Sequence, residues 1–328
     1  MPDHPSAPLV IGADVGSREI VIAYADSRQA VKPIANQRQA IEAWLKRLSP
    51  EAVIGMEATG RYHEVLADCA TRRGHRVYVI NPKHLSHYAK GVGQRGKTDP
   101  LDAAVIARYV AREGDKLHPY TVPTAMQRTL RDLLSQRANV VRHRGAIRQC
   151  VQAMASGNAA LKRAQRKTLQ GLQALIAEID SQLKAVMKTD AALESKRTLL
   201  QTITGIGLLN SVALAHRLDR TPFANSDAVV AAYGMDPRPK DSGDKVGRRY
   251  LTKEGNAEDR RLIYLAAQSA VKTKTFKPIY QALRAKGFAS TEAIVIIARK
   301  LLRIAFAVWM SNQPFDPAKI GFQACKKP

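Results

Sequence analysis

Leu9-Val10-Ile11-Gly12-Ala13-Asp14-Val15-Gly16-Ser17 decides how this 328-residue chain is read. Its apolar, β-branched run has the length and composition of a buried strand, and Gly16-Ser17 supplies a turn. The strand carries a carboxylate, Asp14, close to its end. Burying a lone carboxylate is costly, so Asp14 must reach a sheet edge or find a partner. On position alone, a turn or capping aspartate is an equal reading. A second stretch repeats the pattern: Ala52-Val53-Ile54-Gly55-Met56 is apolar and Glu57 follows at its end. Two strands that each deliver an acid at the same kind of terminus are more specific than either alone. The bland alternative is that Glu57 caps the helix after it.

Working outward, 19–25 reads as a second strand and 30–35 as a third. Helical spacing runs through Ile41, Trp44, Leu45 and Leu48. A helix over 62–73 is closed by Gly74, a usual C-terminal stop. Another strand, 76–80, ends at Asn81-Pro82. Asp99-Pro100 then opens a helix to about Arg112, with Asp99 expected as N-cap and Pro100 at the first helical position. Residues 8–122 are therefore expected to form an α/β domain, a mixed sheet with helices on its faces.

Asp102 lies three residues after Asp99, which on a helix puts their Cβ atoms roughly 5–6 Å apart. Two like charges so close repel unless a cation stands between them. Capping is a strong alternative for Asp99. It is weaker for Asp102, which heads the apolar run Ala103-Ala104-Val105-Ile106. Four carboxylates suit Mg²⁺, a hard ion that prefers oxygen ligands. Two such ions roughly 3.5–4 Å apart can activate a nucleophile and stabilise the leaving oxygen in phosphodiester cleavage.

The charge balance points the same way. Lys and Arg total 52 against 28 Asp and Glu, a net charge of +24 and a pI near 10.2. Such a surplus implies a polyanionic partner, nucleic acid before an anionic membrane surface. No signal peptide is read at the N-terminus. The apolar stretch 293–310 carries Arg299, Lys300 and Arg303, so it is expected as a buried amphipathic helix and not a membrane span. Three scattered cysteines, Cys69, Cys150 and Cys325, exclude a disulfide scaffold and fit a reducing compartment. A cytoplasmic, nucleoid-associated protein is expected.

Residues 113–125, with Gly114, Pro119 and Pro123, look like a linker. Two long helices follow over 123–198 with a break near 156–158, expected as an antiparallel hairpin or coiled coil. Between Met126 and Thr168 there are ten Lys or Arg and a single acid, Asp132. A solvated face would mix signs, so this favours a nucleic-acid-facing surface that includes Arg137, Arg142, Arg144 and Arg148. Residues 199–320 read as a mostly helical domain. Its Ile203-Thr204-Gly205-Ile206-Gly207 is similar to a helix-hairpin-helix turn, although any tight helix–helix turn needs glycine. Residues 236–256 are loop-like. There Ser242 is surrounded by Arg238, Lys240, Lys245, Arg248 and Arg249, with Lys253 close behind. A serine attacking phosphorus needs such cations, but no histidine base is near it in sequence, and an ordinary loop serine is the simpler reading. Arg95 and Lys97, just ahead of Asp99, are placed to hold a phosphate backbone.

Taken in order, Ile11-Gly12-Ala13-Asp14, Met56-Glu57-Ala58-Thr59-Gly60, Ile80-Asn81-Pro82, Lys97-Thr98-Asp99-Pro100-Leu101-Asp102-Ala103 and Ile203–Gly207 form one set of motifs. Ala232-Tyr233-Gly234, Pro237-Arg238, Asp241-Ser242-Gly243, Thr252-Lys253, Gly255-Asn256 and Arg260-Arg261 with Tyr264 complete it. Together they resemble the insertion sequence 110 family of transposases, also called DEDD transposases or bridge-RNA-guided recombinases. The resemblance spans nearly the whole chain. It implies an RNase H-like (RuvC-like) N-terminal domain, a helical coiled-coil insertion and a mostly α C-terminal transposase domain. It implies that Asp14, Glu57, Asp99 and Asp102 hold Mg²⁺ and that Ser242 is a nucleophile forming a phosphoserine link to DNA. The expected partners are double-stranded DNA, a structured guide (bridge) RNA and further copies of the chain, as a dimer or tetramer, with no membrane. Before Pro237 the resemblance would place Leu or Ile and then Ser or Thr, where this sequence has Met235-Asp236. Two alternatives remain open: a junction-resolvase type of endonuclease that needs no serine, and a non-catalytic nucleic-acid binder whose acids are caps.

Overall fold

The computed structural model describes residues 9–26, 31–94, 96, 98–153, 159–238 and 249–320. It divides into two compact units, Met1–Val122 and Pro123–Pro328.

The first unit is built on a five-stranded mixed sheet. Its strands are β1 (Val10–Val15), β2 (Glu19–Tyr24), β3 (Val31–Ala35), β4 (Val53–Glu57) and β5 (Arg76–Ile80), in the order β3-β2-β1-β4-β5. β1 and β2 form an antiparallel hairpin through the Gly16-Ser17 turn, and β4 and β5 add in parallel on the other side. Pro33 has no N–H to give a ladder, and β3 is accordingly an edge strand.

Strand side chains alternate, so every strand feeds two faces. Ile11, Ala13, Val15, Ile20, Ile22, Ile54, Met56 and Val77 pack with Ile41, Trp44 and Leu45 of α1 (Arg38–Leu45) and with Leu66 and Ala70 of α2 (Glu64–Arg72). The opposite face takes α4 (Asp99–Glu113). There Ala103 meets Val21 and Ala23, while Ile106 and Val110 meet Val53, Tyr78 and Ile80.

Three local expectations change. Asn81 does more than end β5: its side chain accepts from the Lys83 amide and caps an additional helix, α3 (Pro82–Gly91), which carries His84 and His87. Asp99 is the first residue of α4, not its N-cap; extended Thr98 holds the cap position. The segment expected as a linker is tied back to the sheet, since the Tyr120 amide donates to Val77 O (2.7 Å) and its hydroxyl to buried Asp68 (3.0 Å).

The second unit is helical: α5 (Ala125–Ala153), α6 (Ala159–Met187), α7 (Ala191–Gln201), α8 (Leu208–Arg220), α9 (Ser226–Ala232), α10 (Ala257–Ala270), α11 (Lys277–Ala285) and α12 (Ser290–Ser311). α5 and α6 run antiparallel. Arg137 and Asp180 join them through two parallel hydrogen bonds, Nε–Oδ1 2.5 Å and Nη2–Oδ2 3.1 Å. Leu130, Leu133, Ile179, Leu183 and Met187 bring one end of this hairpin into the core shared by α7–α12. The apolar stretch 293–310 lies in α12, where Ala293, Ile297, Leu301, Leu302 and Ala305 are buried and Arg303 pairs outward with Asp227 (2.8 Å). Among the described residues no helix is long and apolar enough to cross a membrane.

Between α9 and α10 two short strands, β6 (Pro237–Arg238) and β7 (Tyr250–Leu251), pair antiparallel inside the stretch that reads as loop. The Ile203–Gly207 turn joins α7 to α8. Gly205 has φ +94, and a Cβ there would lie 2.7 Å from Ala266 O and 2.7 Å from Ala270 Cβ. Close packing against α10 therefore accounts for this glycine.

Candidate active site

Asp14 and Glu57 are brought together by the sheet. The parallel register pairs Gly12 with Gly55 and Ala13 with Met56, so Asp14 and Glu57 are the next pair. Neighbouring strands lie about 4.8 Å apart. Alternation puts both acids on the α4 face, two residues beyond Gly12 and Gly55 respectively. Both are partly exposed, as the cost of burying a carboxylate requires. Glu57 belongs to β4, and α2 does not begin until Glu64, with His63 at its cap position; the helix-capping alternative for Glu57 does not hold.

Gly12 and Gly55 are what allow the third element to approach. A Cβ on Gly12 would overlap Ala103 O and Ala107 N, and one on Gly55 would overlap the Val110 side chain. Helix α4 thus lies directly on β1 and β4, backbone against backbone at Gly12. Its first turn carries Asp99, exposed, and Asp102, partly exposed. Asp102 immediately precedes Ala103, the residue seated over Gly12. Among the described residues, no three His, Cys, Asp or Glu side chains stand close enough together to hold a metal ion.

Asn36, which the sequence reading passes over, links the loops beyond the two acids. Its side-chain amide donates to Gly16 O (2.8 Å), just past Asp14, and to Tyr62 O (3.1 Å), in the loop after Glu57. One residue at the end of an edge strand thereby ties the β1–β2 turn to the β4–α2 loop. Nothing in local sequence marks it, because both partners are main-chain carbonyls 20 and 26 residues away.

In the second unit, Ser242 lies outside the described residues, together with Lys240, Lys245 and Arg248. In the first unit Arg95 and Lys97 do as well. The stem of the serine loop is described, and it is firmly built. The Thr252 hydroxyl donates to Asp236 Oδ1 (2.5 Å) and the Thr252 amide to Asp236 O (3.2 Å). The unexpected Asp236 thus serves as the stem's acceptor, and Arg238 reaches it as well (3.5 Å). Gly234, at φ +61, crosses so close to the next turn that a Cβ would stand 2.6 Å from Glu254 N. Arg260 donates to Gly255 O and Tyr233 O across the same crossing. Exposed Arg238, Arg249 and Tyr250 stand where the stem opens, and Lys253 (φ +54) is exposed just behind.

Two family models match, one for the DEDD transposase of IS110 over residues 11–156 and one for the IS116/IS110/IS902 transposase family over residues 197–281. The first takes in the sheet with all four acids. A pilin gene-inverting protein of Moraxella bovis is 30% identical over 268 residues, 80% of this chain and 81% of the relative. The chain belongs to the IS110 family of transposases. A probable family 20 transposase of Pseudomonas aeruginosa is 25% identical over 308 residues, 83% of this chain and 88% of its own.

Members of this family are enzymes acting on DNA in transposition or recombination, and the DEDD type implies a divalent metal cation. The acids fit that ion in donor chemistry and in sharing one face, although their side chains are not gathered as a closed cage. The basic residues sort by position. Arg137 is engaged with Asp180 inside the α5–α6 pair, and Arg144 donates to Gln173 across it. Arg142 and Arg148 are exposed.

Proposed function

We propose that this transposase is a site-specific recombinase that moves an insertion element by cutting and rejoining DNA through a phosphoserine intermediate. The register of Asp14 with Glu57 beneath the first turn of α4 is the observation that carries this reading. The strand order β3-β2-β1-β4-β5, with β3, β2 and β1 antiparallel and β1, β4 and β5 parallel, supports an RNase H-like domain for the first unit.

Asp14, Glu57, Asp99 and Asp102 would hold Mg²⁺, which would stabilise charge developing on the phosphoryl oxygens. Ser242 Oγ attacks phosphorus; its bond to phosphorus forms as the bond to the leaving DNA oxygen breaks. The serine proton departs and the leaving oxygen takes one up. The phosphodiester's energy is kept in the phosphoserine, so a DNA hydroxyl can reverse the step and rejoin strands. Lys240, Lys245, Arg248, Arg249 and Lys253 would offset the phosphate charge around Ser242, and Arg95 and Lys97 would do so beside the acids. The family resemblance adds a structured guide RNA that selects sites, and a composite site in which one protomer's serine meets another's acids.

The test is covalent trapping. Ser242→Ala is expected to abolish protein–DNA adducts and rejoined product while DNA binding persists. Adducts that survive the substitution would overturn the serine intermediate, and nicking without rejoining would favour a hydrolytic endonuclease.

A further inference from the structure

The α5–α6 hairpin is electrically divided along its length. At the end that joins the core, Asp132, Glu178 and Asp180 accompany the arginines, with ion pairs Arg131–Asp132 (3.1 Å) and Arg137–Asp180. The distal half, residues 140–153 and 159–173, has seven Lys or Arg and no Asp or Glu. Its helices have no acid with which to neutralise themselves.

Four of those seven charges line a groove. An open cavity of about 520 Å³ between the two helices is lined by Arg144 and Arg148 from α5 and by Lys162, Gln165, Arg166 and Gln170 from α6. Arg144 and Arg148, like Lys162 and Arg166, are four residues apart, about 6 Å along a helix axis. Each helix thus offers two cations on one side of the groove. Arg144 is oriented by its bond to Gln173 Oε1.

We infer that this groove is a second nucleic-acid site, which grips the phosphodiester backbone of a duplex without reading its sequence. Cations on both walls, with amide donors on the α6 wall, suit phosphate oxygens. The duplex, and not a single strand, is favoured by what the hairpin lacks: no Phe, Tyr or Trp occurs from Thr121 to Pro222, so it has no platform for stacking unpaired bases. The site lies apart from both the acids and the serine loop in sequence. It would hold a segment of nucleic acid whose chemistry happens elsewhere.

The inference rests on the family's action on nucleic acid, not on the serine mechanism. Its test is anisotropy binding of the full chain to double-stranded DNA, double-stranded RNA and single-stranded DNA of arbitrary sequence, across a salt series. Neutralising the groove with Arg144→Gln, Arg148→Gln, Lys162→Gln and Arg166→Gln is expected to weaken duplex binding about tenfold or more near 0.15 M salt. It is also expected to flatten the slope of log K against log salt by about 3 to 4. An equal change of net charge elsewhere, Lys184→Gln, Lys188→Gln, Lys272→Gln and Lys274→Gln, should move the slope by less than about 1. Loss on one kind of duplex or both supports the site and tells DNA from RNA. An unchanged slope in a variant with wild-type circular dichroism overturns it, as does a loss confined to single strands. Wild-type protein with no salt-dependent binding at all would instead defeat the nucleic-acid reading beneath it.

Discussion

Gly12 of β1 and Gly55 of β4 stand opposite each other in the parallel register, and α4 lies across both. Each is two residues ahead of an acid, so the bare spot that seats α4 also sets how far its acids stand from Asp14 and Glu57. A valine at Gly12 would put side-chain carbons into the Ala103 carbonyl and the Ala107 amide, which are backbone and cannot rotate away. Overpacking a tight contact costs about 1–3 kcal/mol, occasionally more, and this one should fall at the upper end. Gly12→Val is expected to lower the melting temperature of the first unit and to abolish recombination, followed by differential scanning calorimetry and a plasmid recombination assay. A fully active, equally stable variant would refute this account of the glycine.

If Asp14 and Glu57 are the centre of the metal site, their amides should separate binding from chemistry. Asp14→Asn and Glu57→Gln keep size and hydrogen-bonding capacity but remove the charge. Losing several kcal/mol of charge stabilisation corresponds to about a thousandfold in rate or more. Both variants should bind DNA as wild type and form no recombined product. The thermal stabilisation that added Mg²⁺ or Mn²⁺ gives the wild type should also be lost.

Asn36 tests whether the two loops must be held in step. Asn36→Ala removes both donors to Gly16 O and Tyr62 O but touches no acid. Groups that orient metal ligands from behind are worth about 10- to 100-fold in metal affinity or activity. The expected result is a recombination rate down by about that factor, with the divalent-ion titration midpoint moved to higher concentration. A rate loss with an unmoved midpoint would indicate a merely structural role.

The sheet and its acids were legible because apolar strand runs and terminal carboxylates are local signals. Glu57 and Asp14 needed only the assumption that two similar strands lie side by side. What was not legible depended on distant main chain. Asn36 finds its carbonyls only once β3 has closed the edge. Thr98 takes the cap from Asp99 because the approach to α4 is extended through Thr98, which Asp-Pro does not reveal. Asn81-Pro82 reads as a strand stop in sequence, although Asn before Pro at the first position is equally a helix start. In the second unit, local sequence does not distinguish Arg137 from the other cations of a basic helix, because its partner Asp180 lies 43 residues on.

The serine-loop stem makes a prediction that needs no knowledge of the loop itself. Thr252→Val keeps the shape and removes the hydroxyl that donates to Asp236. One such hydrogen bond contributes on the order of 1 kcal/mol, so the fold should survive with a small drop in melting temperature. Adduct formation should fall by more than that drop explains, about tenfold, because the stem sets where residues 239–248 begin and end. Gly234→Ala should be more severe, since it adds a left-handed backbone penalty of about 1–2 kcal/mol to the clash with Glu254 N. Thr252→Val protein that forms adducts at the wild-type rate would show that the stem does not position the serine.

Acid should weaken the second unit through His216. Burial, reinforced by Arg220 and Arg217 and also by Arg131, lowers this imidazole to about 4, while Asp219 opposes the shift. Among the described residues its Nδ1 has no hydrogen-bond partner. The folded pKa lies below the ordinary 6.5, so between those values the unfolded chain binds the proton and the folded chain does not. Stability from this group is therefore complete above about pH 6.5 and is lost as pH falls toward 4, by an amount on the order of 3 kcal/mol. Half-buried Asp259 slopes the other way, because desolvation raises its carboxyl and favours the folded state when protonated. A single substitution separates the two. His216→Gln should be less stable than wild type at pH 7 but should lose much less stability between pH 6.5 and 4.5 in urea titrations. The His216 ring protons of the wild type should titrate near pH 4. A midpoint near 6.5, or the same pH slope in both proteins, would show that this imidazole is not buried as the helices place it.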